Sequence, residues 1–526
     1  MKKSLLFAIS ICSLCLLNGC GGGSSSPSAP HVTAVTITPQ FLSLTVNDQE
    51  QLKVSEVLSD GSTQPPRSPT WSSSNPQVAS VNGQGMVSGV ARGSAEISCS
   101  DAGITGSIPI IVEPLFTTDA YQSGTFLYLE NTLGTDVVRL GMDLSLGGAV
   151  SEFSLNGSDV IGKASYGSHL IALGLYDGNG VYDQCNGCTF HYGWNPVESG
   201  DYYRHGSPIL MQDITGNTIY IKSQALQWIP DDKGGGPAQA VPSDIVIEKW
   251  LSPVPNHPYV FQERYKITHT GNDRHAGQNS SVPSYEISAN LFNQYSFYTG
   301  ASPGTLAPIR TIQTAQMPQW PVNGSVQWLS EDWGAMTNQQ GFGFGAYNPQ
   351  AFPYAVAYQA TTDPTDMVVG FTFLTPFSFF PGSSVQFDTF LMLGDTQTVR
   401  LVTYDIRRVL GPFADIDPPV GDLNDTPAEG STVSGIVAVE GWAFDNVSQN
   451  VSVTLFVDQV QVATGLANIT RPDIAVAYPG APENPAFHFD LDTTKFSNGA
   501  RMIEVQTKDD AGNIGLLRHR VLTFKN

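Results

Sequence analysis

The chain has 526 residues, 47 of them acidic and 25 basic, for a formal net charge of −22 at neutral pH. So acidic a surface repels phosphate backbones and argues against nucleic acid as a partner, and past the N-terminal segment no stretch has the apolar length of a spanning helix. Fifty-two glycines and 35 prolines, with few long helical periodicities, predict an all-β, multidomain chain.

MKKSLLFAISICSLCLLNGC opens with two lysines, an apolar run and small residues before a cysteine, the pattern of a secretion signal over residues 1–19. Leu17-Asn18-Gly19-Cys20 resembles the lipobox of bacterial lipoproteins. The resemblance implies that Cys20 is acylated and becomes the first mature residue; a plain signal peptide cut nearby is the alternative. In a cell with two membranes, Gly21 in place of Asp after that cysteine implies an outer-membrane or surface position, facing the periplasm or the exterior, with the lipid as the sole membrane contact. Residues 20–31, rich in Gly, Ser, Ala and Pro, form a flexible tether. Losing Lys2 and Lys3 with the signal carries the net charge to about −24.

Residues 32–113 alternate apolar and polar in short runs (VTAVTIT, LSLTV, SAEIS) separated by turn residues, the period of a small β-sandwich. The segment from Trp71 through Asn75 to Val81, followed by Gly85 to Gly93, resembles the bacterial Ig-like group 2 family. That resemblance implies a spacer or adhesion module without catalysis of its own.

Residues 115–411 are too many for one Ig sandwich and are read as short β-runs such as DVVRLGMDL, DIVIEKWLS and YVFQERYKITHT. Gly147-Gly148-Ala149, a polar strand ending in His269, and Pro381-Gly382 before a strand ending Leu393-Gly394-Asp395 resemble the galactose-mutarotase-like supersandwich of carbohydrate-active proteins. The paired-His and late catalytic Glu of the epimerases in that group cannot be laid onto this chain residue by residue. Residues 412–526 resemble a C-terminal Ig-like module, through Gly441-Trp442-Ala443, Arg471-Pro472-Asp473 and Asp509 to Asn513. There Asp509, Asp510 and Asn513 read either as a hairpin turn or as Ca²⁺ donors.

Within the central domain, residues 181–208 concentrate Asp, Glu, His, Arg and aromatic side chains and have almost no aliphatic ones, so neither a core strand nor an amphipathic helix accounts for them. Flat rings beside charged hydrogen-bonding groups suit a sugar. Trp194, Glu198, Tyr202, Arg204 and, from a second segment, Trp333 are candidate ligand-binding residues. Asp201, His205, His269 and Glu331 are candidate catalytic residues, as the carboxylates of a glycoside hydrolase or as the base of a polysaccharide lyase. A loop pinned by its own side chains is the structural alternative. Glu331 and Asp332, if extended, point their carboxylates oppositely.

With Cys12 and Cys15 lost and Cys20 lipidated, three cysteines remain. Outside the cytoplasm Cys185 and Cys188 are expected to form a short disulfide across Asn186-Gly187, leaving Cys99 free and buried. A metal half-site using these two and His191 lacks a second ligand pair, so no metal and no cofactor is expected. The partner expected is polysaccharide, recognised and cleaved by the central domain; a non-catalytic glycan-binding or adhesion lipoprotein is the alternative.

Overall fold

The computed structural model describes residues 29–161, 170–177, 194–228, 239–277, 280–289, 291–299, 309–317, 326–359, 368–424, 426–478 and 480–526. Cys20, Cys185, Cys188 and His191 lie outside them. The fold is all-β and multidomain: thirty-nine strands and two α-helices occur among the described residues.

The first unit holds a four-stranded sheet, with Ile104–Glu113 between Leu42–Thr45 and Gly93–Asp101 and with Thr70–Ser73 at its edge, and two three-stranded sheets. Gly93–Asp101 alternates in burial, so Ala95, Ile97 and Cys99 face a core that also takes Val35, Ile37, Leu44 and Ile110. Cys99 is a buried free thiol. Gly85, at φ +81°, lies under the Trp71 indole, where an added Cβ would come within 2.7 Å of the ring. Trp71 and Gly85 of the quoted segment are thus a packed pair.

A twenty-stranded, mostly sequential antiparallel sheet runs from Thr117–Ser123 to Ser384–Gly394 and folds back on itself through further pairings. Its longest strands, Pro242–Val254 and His257–His269, are neighbours joined by a turn with Asn256 at φ 64°, and the second pairs onward with Ser384–Gly394. Period-two burial along Phe126–Leu133 and His257–His269 sends Leu127, Leu129, Phe261 and Tyr265 inward.

The sheet ends in the helix Thr396–Leu410. Asp395 caps it by accepting from the Thr398 N–H at 2.6 Å, and Arg407 and Arg408 stand in its last turn, where cations favour the macrodipole. Two further sheets follow, one centred on Ile436–Phe444 and one on Gly499–Lys508, and they enclose Val439, Leu455, Phe487 and Val505. Phe444 and Ile474 of this last unit pack on Phe352 and Tyr354 of the large sheet, and Arg274 pairs with Glu504 at 2.6 Å. Among the described residues, no helix is long and apolar enough to cross a membrane.

Candidate functional site

Two polar clusters flank the stretch that begins at Trp194. The first is a turn. Pro196–Val197 pairs with Leu226 and Gln227, and the chain then reverses through a bridge between Gly200 and Gly206. At Gly206 the turn lies against Ser145, whose carbonyl an added Cβ would strike at 1.7 Å. Asp201 is buried and ties the turn to itself: Oδ1 accepts from the His205 N–H at 2.9 Å, and Oδ2 sits 2.7 Å from His205 Nδ1. An ionised carboxylate only accepts, so Nδ1 carries the proton and Nε2 is the basic nitrogen of an imidazole that remains 39% exposed. Tyr202, 56% exposed, meets Tyr203 and Trp228 edge-on at 5.5 and 5.9 Å, and its backbone N–H donates to the Trp228 carbonyl. Arg204 is exposed on the same turn, at φ +71°. Asp201, Tyr202, Arg204 and His205 are therefore brought together, and Trp228 joins them. Its position at the end of a strand pattern hid it in the sequence.

The second cluster is buried. The register of the long hairpin sets Ile245 opposite His269, which puts Asp244 beside that imidazole. His269 Nε2 is 2.9 Å from Asp244 Oδ2 and 3.3 Å from Asp273 Oδ1, while its Nδ1 donates to the Phe380 carbonyl at 3.0 Å. His275 donates through Nδ1 to Asp177 at 2.9 Å. Its buried Nε2 has no hydrogen-bond partner and faces Asp244 and Asp273 at 3.5 and 3.6 Å. Burial opposes charge on both Asp244 and His275, but the nearby imidazoles and the Trp194 N–H outweigh it at Asp244, as the Asp177 hydrogen bond and the nearby Asp244 carboxylate do at His275. The Asp244 carboxyl is held well below the usual carboxylate range, and His275 is pushed up to about 9. Donor atoms of Asp244, His269, Asp273 and His275 all lie within 4.8 Å of one another. Two imidazoles anchored through Nδ1 and two carboxylates form a set that can hold a Zn²⁺-class ion. No metal was expected from the sequence, in which His269, Asp273 and His275 stand close together in THTGNDRHAG. Asp244 enters only through the strand pairing.

Other expected site residues have structural surroundings. Trp194 was a candidate ligand-binding residue, but its ring stacks on His275 at 3.8 Å, donates to Asp244 at 2.8 Å and packs on Phe379. His269 is fully buried with both ring nitrogens engaged, so it cannot touch a substrate. Glu198 is buried against Lys249 Nζ at 2.7 Å, and its Oε2 accepts from the Leu173 N–H. Glu331 is buried and takes donors from Arg400, Tyr404 and Trp333, at 2.6 Å from Arg400 Nη2 and 2.7 Å from the indole. Trp333, wholly buried, has no face to offer a sugar. Asp332, at φ 55°, breaks the expected extended alternation, and its carboxylate joins Arg407 on the same helix that holds Glu331.

Residues 31–105 match the model of the bacterial Ig-like domain (group 2), so the first unit is a domain of that kind. A curated relative, Ice-binding protein 1 of Shewanella frigidimarina (strain NCIMB 400), is 34% identical over 82 residues. These are 15% of this chain and 9% of the relative, so the chain spans less than a tenth of that relative's length. Among solved structures, a polysaccharide lyase superposes with a TM-score of 0.29 at 10% identity, over 77% of this chain and 47% of its own. A putative aldose 1-epimerase from Klebsiella pneumoniae subsp. pneumoniae superposes with a TM-score of 0.32 at 14% identity, over 62% of this chain and 90% of its own.

Proposed function

We propose that the chain is a lipid-anchored surface protein whose central domain binds polysaccharide and cleaves it by β-elimination, with His205 as the base. The observation that carries the reading is the half-exposed His205 imidazole, oriented by buried Asp201 and set beside the exposed Tyr202 ring. Hydrolysis would need two carboxyl groups facing one sugar. Glu198 and Glu331 are instead consumed in buried ion pairs and Asp201 lies behind His205, which favours elimination. In that step His205 Nε2 takes the proton α to a uronate carboxylate, the C4–C5 double bond forms, and the C4–O bond breaks. The departing oxygen takes a proton from Tyr202 or Tyr203, and Arg204 offsets the carboxylate charge.

The test is a panel of uronate-containing polysaccharides, read by ultraviolet absorbance of the unsaturated product and by reducing ends. His205→Ala and Asp201→Asn are expected to lower turnover roughly a hundredfold while leaving affinity unchanged. Reducing ends without absorbance would mean hydrolysis, and affinity without turnover in the wild type would mean a binding module. For the anchor, Cys20→Ser is expected to move the protein from the detergent phase to the aqueous phase; wild type and variant partitioning alike would refute lipidation at Cys20.

A further inference from the structure

Four aspartates converge where the chain passes from the helix Thr396–Leu410 into the last unit. Asp415 and Asp417 lie on the connecting segment, Asp445 directly follows the strand Ile436–Phe444, and Asp509 directly follows Gly499–Lys508. Oxygens of Asp415, Asp445 and Asp509 are all within 4.8 Å of one another. Asp417, Asp445 and Asp509 are 2%, 6% and 6% exposed.

Much of each carboxylate is already used. Asp445 Oδ1 accepts from the Val447 and Ser448 N–H groups, and Asp509 Oδ1 accepts from those of Gly512 and Asn513. What remains is unpaired: Asp415 Oδ2, Asp417 Oδ1 and Asp445 Oδ2 are buried without a donor, as is the neighbouring Asn446 Oδ1. Among the described residues, no Lys, Arg or His forms an ion pair with any of the four aspartates. Burial and then mutual repulsion push the Asp415 carboxyl up to about 6 and Asp417 well above its ordinary value.

We propose that Asp415, Asp445 and Asp509, with the unpartnered Asp417 carboxylate beside them, form a Ca²⁺ site that fastens the connecting segment to the C-terminal unit. Ca²⁺ takes six to eight oxygens at about 2.4 Å, so two of its ligands stand no more than about 4.8 Å apart, a limit that the oxygens of Asp415, Asp445 and Asp509 meet. Mg²⁺ needs a tighter octahedron and keeps much of its water, which several buried carboxylates do not suit. The donors differ from the Asp509, Asp510 and Asn513 set considered from sequence: Asp510 is bonded to Asn450 instead, and Asn513 donates to Asp509.

The test uses the full chain stripped with EDTA and titrated with Ca²⁺ alone, followed by calorimetry. One Ca²⁺ per chain and a higher melting midpoint than in EDTA are expected, with binding retained in His275→Ala. Asp445→Asn keeps the Oδ1 acceptor and removes one repelling charge. It should therefore melt above the wild type in EDTA and below it in Ca²⁺, a reversal that a purely structural aspartate would not produce. A variant less stable under both conditions, a wild-type midpoint indifferent to Ca²⁺, an equal effect of Mg²⁺, or loss of Ca²⁺ binding in His275→Ala would each overturn the site.

Discussion

Lys249→Met is expected to lower the stability of the central domain by about 3–5 kcal/mol at pH 8, the cost of removing one partner from a buried ion pair. Lys249 is 1% exposed, on a strand whose other inward residues, Ile247 and Leu251, are apolar. Its ammonium lies 2.7 Å from Glu198 Oε1 and 3.6 Å from Glu263 Oε1, donates to the Gly148 carbonyl at 2.7 Å, and stands over the Tyr265 ring. Methionine fills much of the same volume, so packing changes little and the loss reads the charge. Two buried carboxylates would then face each other without a cation. Because protonation relieves that repulsion, the loss should shrink toward pH 5. Urea unfolding at both pH values measures it, and a loss below about 1 kcal/mol at pH 8 would mean that water already reaches the triad.

The sheet was legible where the side-chain period shows: YVFQERYKITHT reads as a strand, and His257–His269 forms one. The helix Thr396–Leu410 was not legible, because Val399, Val402, Thr403, Ile406 and Val409 are β-branched and read equally as strand material. Tertiary contacts decide it. Arg400 and Arg407, seven residues apart on one face, reach Glu331 and Asp332. The same pairing explains why a Glu-Asp-Trp sequence that looks like a sugar platform is a buried clamp. In the candidate site, the local turn from Asp201 to His205 could be found from sequence because its partners are four residues apart. Lys249, Asp244 and His275 could not, since their partners arrive by strand pairings that span 25 to 98 residues. The junction aspartates belong to the same class: Asp415 and Asp509 are 94 positions apart in the chain.

Glu263→Gln is expected to raise stability at pH 8, by about 3 kcal/mol at most, and to leave it nearly unchanged at pH 5. Burial, opposed by Lys249 and reinforced by Glu198, pushes the Glu263 carboxyl up to about 7. A carboxyl whose folded value lies above its unfolded value of about 4.5 contributes its full stability below pH 4.5, and that contribution is lost as pH rises through 7. A gap of roughly 2.5 units at 1.36 kcal/mol each sets the ceiling. Glutamine never ionises, so it escapes the loss. It keeps an oxygen toward Lys249 and the Tyr265 hydroxyl, which donates to Glu263 Oε1 at 3.3 Å. Its amide nitrogen takes the place of Oε2, which is buried without a hydrogen-bond donor. Burial also raises Glu113, Glu286 and Asp332 to about 7, so the wild type should itself lose stability across this window. The difference between variant and wild type, taken at each pH, isolates Glu263. A variant less stable than the wild type at pH 8 would mean that the second carboxylate of the triad is needed as a charge, and that Lys249 is held by both acids rather than by Glu198 alone.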